Sequence, residues 1–295
     1  MFHSGALGDF VLTWPLLLGV ARVLPQSRTM VITAGEKARL AEHVLRVEGR
    51  DVDSGWSPLF GEGKVGEKQA KALAAAGLIV SFVSDGTDAW ANNVKRLAPE
   101  ASCLFLEPPP RDLKGRHASE HLLEQLRPHE LLRGAAEGML KSLTTTGLMP
   151  RLRDKDGPIV LHPGSGGTAK NWPIGDWINL ASALRSGGCE VRVLLGEVER
   201  ERLGETDIAG LAEHGEIVRP QTLLDLLDAL RGTAGFVGHD SGPVHLAGIC
   251  GLPATAIFVS SRPEAWHPLG PATAAVEAKT FDQTIAAVIR DLMTR

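Results

Sequence analysis

Residues Phe236–Gly251, FVGHDSGPVHLAGICG, join a short apolar run to a polar turn and then to an apolar helix. Pro243 marks the first turn of that helix, where a residue without an N–H group costs no hydrogen bond. Asp240 and Ser241 therefore stand at the helix entrance, among free N–H groups and the positive end of the helix dipole. Such an entrance suits an anion. The alternative is that Asp240 or Ser241 simply caps the helix.

The stretch Pro158–Pro173, PIVLHPGSGGTAKNWP, repeats this design. A strand of buried type runs into a turn, and Pro173 then opens a second helix. Lys170 places a positive charge at the far end of the turn, and the spacing differs from that of a Walker A loop. The turn also holds three glycines whose small size lets backbone N–H groups gather around an anion: Gly164, Gly166 and Gly167.

Strands alternate with helices along the chain, which predicts parallel βαβ units in an α/β protein. The charged linker Met149–Gly157 divides the pattern into two halves. We therefore predict two domains, residues 1–152 and 153–280, followed by a closing helix over 281–295. In a doubly wound sheet the two glycine- and proline-marked turns meet at one crevice, and a diphosphate is its predicted guest.

The composition of the 295-residue chain is that of an ordinary globular protein, with 43% hydrophobic and 22% charged residues. A net charge of −4 argues against a nucleic-acid partner held by bulk electrostatics. Three cysteines without a C-x-x-C spacing indicate a reducing compartment and neither a disulfide framework nor a structural zinc. Apolar runs too short for a bilayer and a start unlike a signal peptide lead us to expect a cytoplasmic protein.

The first turn, Ser4–Asp9, follows only a few residues, although such a turn normally follows a full strand. Either the first strand is very short, or the sequence begins late. Pro15 leaves two arrangements open for the next helix. The helix begins at Asp9 and kinks at the proline, or Thr13 caps it and Asp9 stays in the loop.

Three motifs resemble glycosyltransferase family 9, the ADP-heptose:lipopolysaccharide heptosyltransferases. They are SGALGDFVLTWPLL at residues 4–17, HPGSGGTAKNWP at 162–173 and GHDSGPVHLAGICGLPATAIF at 238–258. Their order and spacing across the chain carry the resemblance. It implies a GT-B fold, with two Rossmann-like domains facing across a cleft, the acceptor on the first and the nucleotide sugar on the second. It also allows the helix over 281–295 to pack on the first domain.

The resemblance implies an inverting, metal-independent glycosyltransferase that needs no cofactor. It would move a sugar, expected to be heptose, from an ADP-sugar to an acceptor of the lipopolysaccharide-core type. The implied partners are a nucleotide-sugar donor and a lipid-linked glycan acceptor, with at most peripheral association with the inner face of the inner membrane and no nucleic acid.

The same resemblance implies roles for individual residues. Asp9 matches the general base that takes the proton from the acceptor, and Lys170 matches a lysine on the donor diphosphate. Glu199 is a weaker match to an acidic residue on the ribose, with Glu197 as its rival. The remaining donor-binding residues lie in the two glycine- and proline-marked turns: Gly164, Ser165, Gly166, Gly167, Thr168, Asp240, Ser241, Gly242 and His245.

One departure and two rival interpretations stay open. Residues 259–268, VSSRPEAWHP, stand where the family usually continues with a Gly-Pro-Thr type turn, so the transferred sugar could differ from heptose. The rivals are a catalytically silent sugar-nucleotide-binding protein and a GT-B enzyme that uses another nucleotide sugar.

Asp51-Val52-Asp53 spells the D-x-D metal motif of another glycosyltransferase fold. The linker repeats that pattern at Asp154–Asp156, which indicates that it arises by chance. Whether His239 reaches the donor or only packs is also open.

Overall fold

A computed structural model describes residues 1–110 and 112–293, without the side chains of residues 281, 291 and 293. The chain forms two compact units. The first comprises Met1–Leu113 and Ser119–Gly138, and the second comprises Lys114–Ala118 and the chain from Met139 onward. The domain boundary after residue 152 stays a prediction. No helix within the described ranges is long and apolar enough to span a membrane.

The first unit is built on short parallel strands connected by helices. Strand β1 pairs with β2, and β3 pairs with β4. The strands are β1 (Met30–Thr33), β2 (Glu48–Asp51), β3 (Leu78–Ser81) and β4 (Ser102–Phe105). The helices are α1 (Leu7–Leu12), α2 (Trp14–Val23), α3 (Gly35–Leu45), α4 (Glu67–Ala74), α5 (Ala89–Leu97), α6 (Ala118–Gln125) and α7 (Glu130–Thr146), and the division between the units falls within α7.

Residues 1–3 join the two strand pairs of this unit. The Phe2 N–H donates to the Val80 carbonyl at 2.9 Å, and the His3 N–H donates to the Ile32 carbonyl at 3.0 Å. Phe2 thereby forms parallel bridges to both β1 and β3. Residues 1–3 thus act as a very short strand at the centre of the sheet.

Helices α1 and α2 settle the position of Asp9. Thr13 ends α1 and precedes α2, and Pro15 takes a position in the first turn of α2, where it removes no hydrogen bond. Neither alternative holds as a whole. Thr13 takes the N-cap position of α2, without a cap hydrogen bond from its side chain, but Asp9 does not stay in the loop, because α1 already begins at Leu7. Asp9 lies in the first turn of α1, where its carboxylate accepts the Ala6 N–H at 3.2 Å.

The second unit contains a six-stranded, fully parallel sheet with the order β10-β9-β8-β5-β6-β7. Its strands are β5 (Ile159–His162), β6 (Val191–Leu194), β7 (Glu216–Val218), β8 (Gly235–His239), β9 (Ala254–Phe258) and β10 (Thr273–Glu277). Its helices are α8 (Ile174–Ser186), α9 (Glu197–Arg202), α10 (Glu205–Ala212), α11 (Leu223–Ala229), α12 (Gly242–Cys250), α13 (Pro263–Trp266) and α14 (Phe281–Met293). Every residue of β5, β8 and β9 is buried, as expected for strands covered on both faces.

The closing helix α14 belongs to the second unit. Val288 is fully buried in the core of that unit, and Ile285, Ile289 and Leu292 pack against the same core. The apolar stripe of α14 covers β9, β10 and α8. The packing of this helix on the first domain, which the resemblance allowed, stays a prediction. Residues 294 and 295 of the predicted helix lie outside the described residues.

We predict that Phe2→Ala lowers the free energy of unfolding by about 3–5 kcal/mol, because the ring is 3% exposed and its loss leaves a cavity. Phe2 makes edge-on contacts with Trp56 and Trp90, at centroid distances of 5.6 and 5.0 Å. Urea unfolding would measure the loss. Phe60→Ala is the matched control, since Phe60 also faces Trp90 but is 46% exposed. Equal losses in the two variants would contradict a central role for the initial segment.

Candidate functional site

The strand order of the second sheet reverses between β5 and β8. The chain runs from β5 outward through β6 to β7, and then returns to β8 on the other side of β5. The loop 163–173 and the turn at Asp240–Ser241 therefore leave the same edge of the sheet from neighbouring strands. Ligands of open parallel α/β sheets bind at such a reversal, beyond the carboxyl ends of the strands.

Lys170 and Asp240 connect these two segments. The Lys170 Nζ lies 2.6 Å from Asp240 Oδ2, and the His245 Nε2 lies 3.4 Å from Asp240 Oδ1. The side chain of Asp240 is only 5% exposed, and burial alone raises the pKa of a carboxyl group. The hydrogen bonds from His245 and Lys170 outweigh that effect and lower the pKa of Asp240 to about 2. This network brings together three of the predicted site residues.

The N-terminus of α12 opens beside this network. Ser241 occupies the position before the helix, but its hydroxyl donates to the His239 carbonyl at 3.3 Å rather than capping the helix N–H groups. Gly242 begins the helix and Pro243 follows in its first turn. The nine-residue helix thus directs backbone N–H groups and the positive end of its dipole toward the edge that carries Lys170.

The glycine-rich loop after β5 has a buried base and an exposed tip. The buried Ser165 hydroxyl lies within hydrogen-bonding distance of the Gly167 carbonyl at 2.8 Å and of the Asn171 side chain at 2.6 Å. From α9, Arg202 donates to the Ser165 carbonyl at 3.1 Å. The tip, residues 166–168, is exposed, and a short 3-10 turn over Thr168–Lys170 returns the chain toward α8.

Glu199 is buried beneath the loop, whereas its rival Glu197 is exposed at the start of α9. A carboxylate oxygen of Glu199 accepts the Gly196 N–H at 2.8 Å and lies 3.7 Å from the His162 Nε2. A Cβ atom at Gly164 would overlap with this carboxylate. Gly164 is therefore required by the packing of Glu199, a reason that a glycine count in the sequence does not reveal.

His239 ties the two ends of the loop 164–172 together. Its Nε2 accepts the Trp172 N–H at 2.7 Å, and its Nδ1 lies 3.4 Å from the Gly164 carbonyl. The ring is fully buried and meets Trp177 edge-on at 5.0 Å. Burial lowers the pKa of His239 to about 4. Sequence reasoning left this residue open, since its partners lie far away along the chain.

Two further histidines, His117 and His267, contact each other in the same unit. His117 Nε2 lies 3.0 Å from the His267 carbonyl, and the two rings are 4.3 Å apart. Burial, with the nearby His267, lowers the pKa of His117 to about 4. This contact fastens the segment Lys114–Ala118 to the loop whose sequence departs from the family pattern.

Asp9 lies in the first unit with its own set of polar neighbours. Lys37, on α3, donates to the Gly5 carbonyl in the turn before α1, and its charge interacts with that of Asp9. Burial lowers the pKa of Lys37, while Asp9 acts in the opposite direction. His3 is buried beside the turn, and burial lowers its pKa to about 3. Asp9 is thus a half-buried carboxylate fixed at a helix start next to a lysine.

Candidate metal ligands do not gather in the part of the chain that the structure describes: no three His, Cys, Asp or Glu side chains there are placed to hold an ion. The D-x-D pattern at Asp51–Asp53 instead forms a turn, in which Asp51 accepts the Asp53 N–H at 3.2 Å.

Solved structures of similar fold cover nearly the whole chain. A glycosyltransferase family 9 protein from Veillonella parvula is 17% identical, with a TM-score of 0.71 over 100% of this chain and 96% of its own. The E. coli heptosyltransferase WaaC with ADP is 17% identical, with a TM-score of 0.68 over 99% and 98%. The E. coli ADP-heptose lps heptosyltransferase II is 18% identical, with a TM-score of 0.66 over 99% and 96%. The class is thereby defined: this is an α/β protein with the GT-B fold of glycosyltransferases.

The profile of glycosyltransferase family 9 (heptosyltransferase) matches residues 132–293, more than half of the chain. The chain belongs to glycosyltransferase family 9 and is a glycosyltransferase. The resemblance stated from the three motifs is confirmed. No curated protein sequence matches the chain significantly. The family uses a nucleotide-sugar donor and a glycan acceptor.

We predict that Gly164→Ala destabilises the protein by about 1–3 kcal/mol, because the new methyl group displaces the buried carboxylate of Glu199. Gly166→Ala is the matched control, since a Cβ there meets open space. Thermal unfolding of both variants measures the difference. A Gly164→Ala protein as stable as the control would contradict the packing of Glu199 described above.

The buried histidines predict a dependence of stability on pH. Since the pKa values of His239 and His117 fall from 6.5 to about 4 on folding, the unfolded chain binds protons first as the pH drops. The free energy of unfolding should therefore fall between pH 6.5 and 4, by on the order of 1 kcal/mol per pH unit for each histidine. Urea unfolding at pH 7, 5.5 and 4.5 checks this. His239→Gln should reduce the slope, and a stability that is constant over this range would refute the prediction.

Proposed function

We propose that this glycosyltransferase is an inverting, metal-independent enzyme that transfers a heptose from an ADP-sugar to an acceptor of the lipopolysaccharide-core type. The observation that carries the proposal is the Lys170–Asp240–His245 network at the strand-order reversal of the second sheet. The chain's membership of the heptosyltransferase family supports the nature of the sugar.

The donor site is proposed because positively charged and N–H groups gather where a diphosphate would bind. A diphosphate bound at this edge would meet the Lys170 ammonium, the N–H groups at the start of α12 and those of the exposed loop tip. Glu199 lies beneath the loop as the candidate partner of the ribose. The nucleotide is proposed to be ADP, since the E. coli heptosyltransferase WaaC of similar fold was solved with ADP.

Transfer of the sugar requires a protein base that takes the proton from the acceptor hydroxyl, and groups that stabilise the charge of the leaving diphosphate. In the proposed reaction the acceptor hydroxyl oxygen attacks the anomeric carbon while Asp9 takes its proton. The bond between that carbon and the diphosphate breaks, with inversion at the carbon. The negative charge that develops on the departing ADP is stabilised by Lys170 and the start of α12, so the mechanism assigns no step to a metal ion.

Lys170 also stabilises the fold, so the activity of a Lys170 variant would not report on catalysis alone. Asp240 is buried, so removing Lys170 leaves that carboxylate with His245 as the remaining ion-pair partner that the structure shows. A buried charge that loses its partner is destabilising. A Lys170 variant would therefore lose both activity and stability, whereas Asp9 is half-buried on a short helix and gives the cleaner experiment.

The acceptor is proposed to be a lipid-linked glycan, reached from the cytoplasm with at most peripheral association with the inner membrane. A second candidate keeps the reaction and changes the sugar. It is favoured by the loop 259–268, which departs from the family pattern and folds into the short helix α13. A catalytically silent nucleotide-sugar-binding protein is the remaining alternative.

We predict that Asp9→Asn lowers the kcat of heptose transfer by about 10²–10⁴-fold, because the amide cannot accept the proton of the acceptor hydroxyl. The affinity for ADP, measured by calorimetry without added metal, should be unchanged, since Asp9 lies in the other unit from the Lys170 network. Asp53→Asn, an exposed aspartate of the same unit, is the control and should keep full activity.

The same measurements separate the alternatives. Tight binding of ADP with undiminished transfer by Asp9→Asn would overturn the role of Asp9 as the base. A preference for UDP over ADP would move the donor to another nucleotide sugar. Nucleotide binding without transfer by the unmodified protein would favour the silent binding protein.

A further inference from the structure

His239 offers a feature that the proposed reaction does not use. The Trp172 backbone N–H is a donor, so the Nε2 that it contacts at 2.7 Å must be the unprotonated nitrogen of the ring. The proton of the neutral imidazole therefore sits on Nδ1 and points at the Gly164 carbonyl, 3.4 Å away. One ring thus bonds to both ends of the loop 164–172.

That loop carries the charge of the candidate site. Lys170 lies two residues before Trp172, and Asp240 directly follows His239 in the chain. The strand end that fixes the imidazole also fixes the carboxylate to which Lys170 is paired at 2.6 Å. A shift of the loop relative to β8 would therefore move the ammonium and the Gly164 end of the loop away from their partners.

We infer that His239 is a positioning residue, whose neutral imidazole clamps the loop 164–172 so that Lys170 and the loop N–H groups are held ready for an anionic diphosphate. The inference rests on the proposed function for its catalytic consequence. The clamp itself rests on the two hydrogen bonds alone.

Packing by itself does not account for the imidazole. A phenyl ring could make the same edge-on contact with Trp177, but it would leave the buried N–H of Trp172 without the acceptor that His239 supplies. The ring must also stay neutral, because a second proton on Nε2 would repel that N–H. The charged and titratable groups that act on it are His162, Asp240 and Lys170, and burial keeps the pKa of His239 at about 4.

Variants of His239 can remove its hydrogen bonds to Trp172 and Gly164 together or one at a time. His239→Phe removes both. His239→Gln has an amide that reaches as far as Nε2 and can accept from Trp172, whereas His239→Asn keeps a donor near the Nδ1 position and falls short of Trp172. Trp177→Phe is the control for packing, since it disturbs the ring contacts of both His239 and Trp172 and removes neither hydrogen bond.

The experiment measures hydrogen exchange of the Trp172 amide relative to a β5 amide, together with kcat and KM for the ADP-sugar. We expect His239→Phe to speed the relative exchange and to lower kcat/KM by between about tenfold and a hundredfold, the range that small misplacements produce. His239→Gln should recover much of both, and Trp177→Phe should lower stability while leaving the relative exchange and kcat/KM unchanged. If the Phe variant fails to fold, faster exchange in Asn than in Gln gives the same answer.

The outcomes distinguish this inference from the proposed function. Active protein in which His239→Phe matches Trp177→Phe in exchange and kinetics would overturn the clamp and leave the function standing. If the unmodified protein shows no transfer, the proposed function fails, and the clamp is judged by exchange and by binding of inorganic pyrophosphate. Faster exchange with weaker pyrophosphate binding in His239→Phe then supports it, and no change in either overturns it.

Discussion

The ion pair between Lys170 and Asp240 is the interaction on which the candidate site depends. It joins the segments that follow β5 and β8, and it exists because those strands are neighbours at the reversal of strand order. The pair is asymmetric, since Asp240 is buried while Lys170 is partly exposed. The ammonium can therefore face a ligand while the Asp240 carboxylate, itself bonded to His245, holds it from behind. Pairing with a buried carboxylate thus fixes the position of a long lysine side chain.

Beneath that pair, the site is held by buried polar groups with assigned partners. Glu199 fills the space left by the missing side chain of Gly164 and accepts a backbone N–H, and His239 links Gly164 to Trp172. Low dielectric strengthens such bonds when they are made and makes their loss costly. The base of the loop is thereby held by buried hydrogen bonds, whereas its tip at residues 166–168 is exposed.

In the first unit, too, candidate site residues lie in a turn that directly follows a central strand. Its central strand is the segment 1–3, and the turn that carries Asp9 comes directly after it, between the strand pairs. Lys37 holds the turn through the Gly5 carbonyl and places a positive charge near the carboxylate. Each unit therefore presents its chemistry at the carboxyl end of a central parallel strand, where such sheets bind ligands.

The sequence by itself determined the alternation of strands and helices, the two anion-suited turns and the family, because these depend on local periodicity and on short motifs. It left the role of His239 undecided. Only the tertiary structure showed that Phe2 bridges two strands, that Gly164 makes room for Glu199 and that His239 bonds to both ends of a loop 67 to 75 residues away in the chain. These contacts join residues distant in the chain, so no local pattern encodes them.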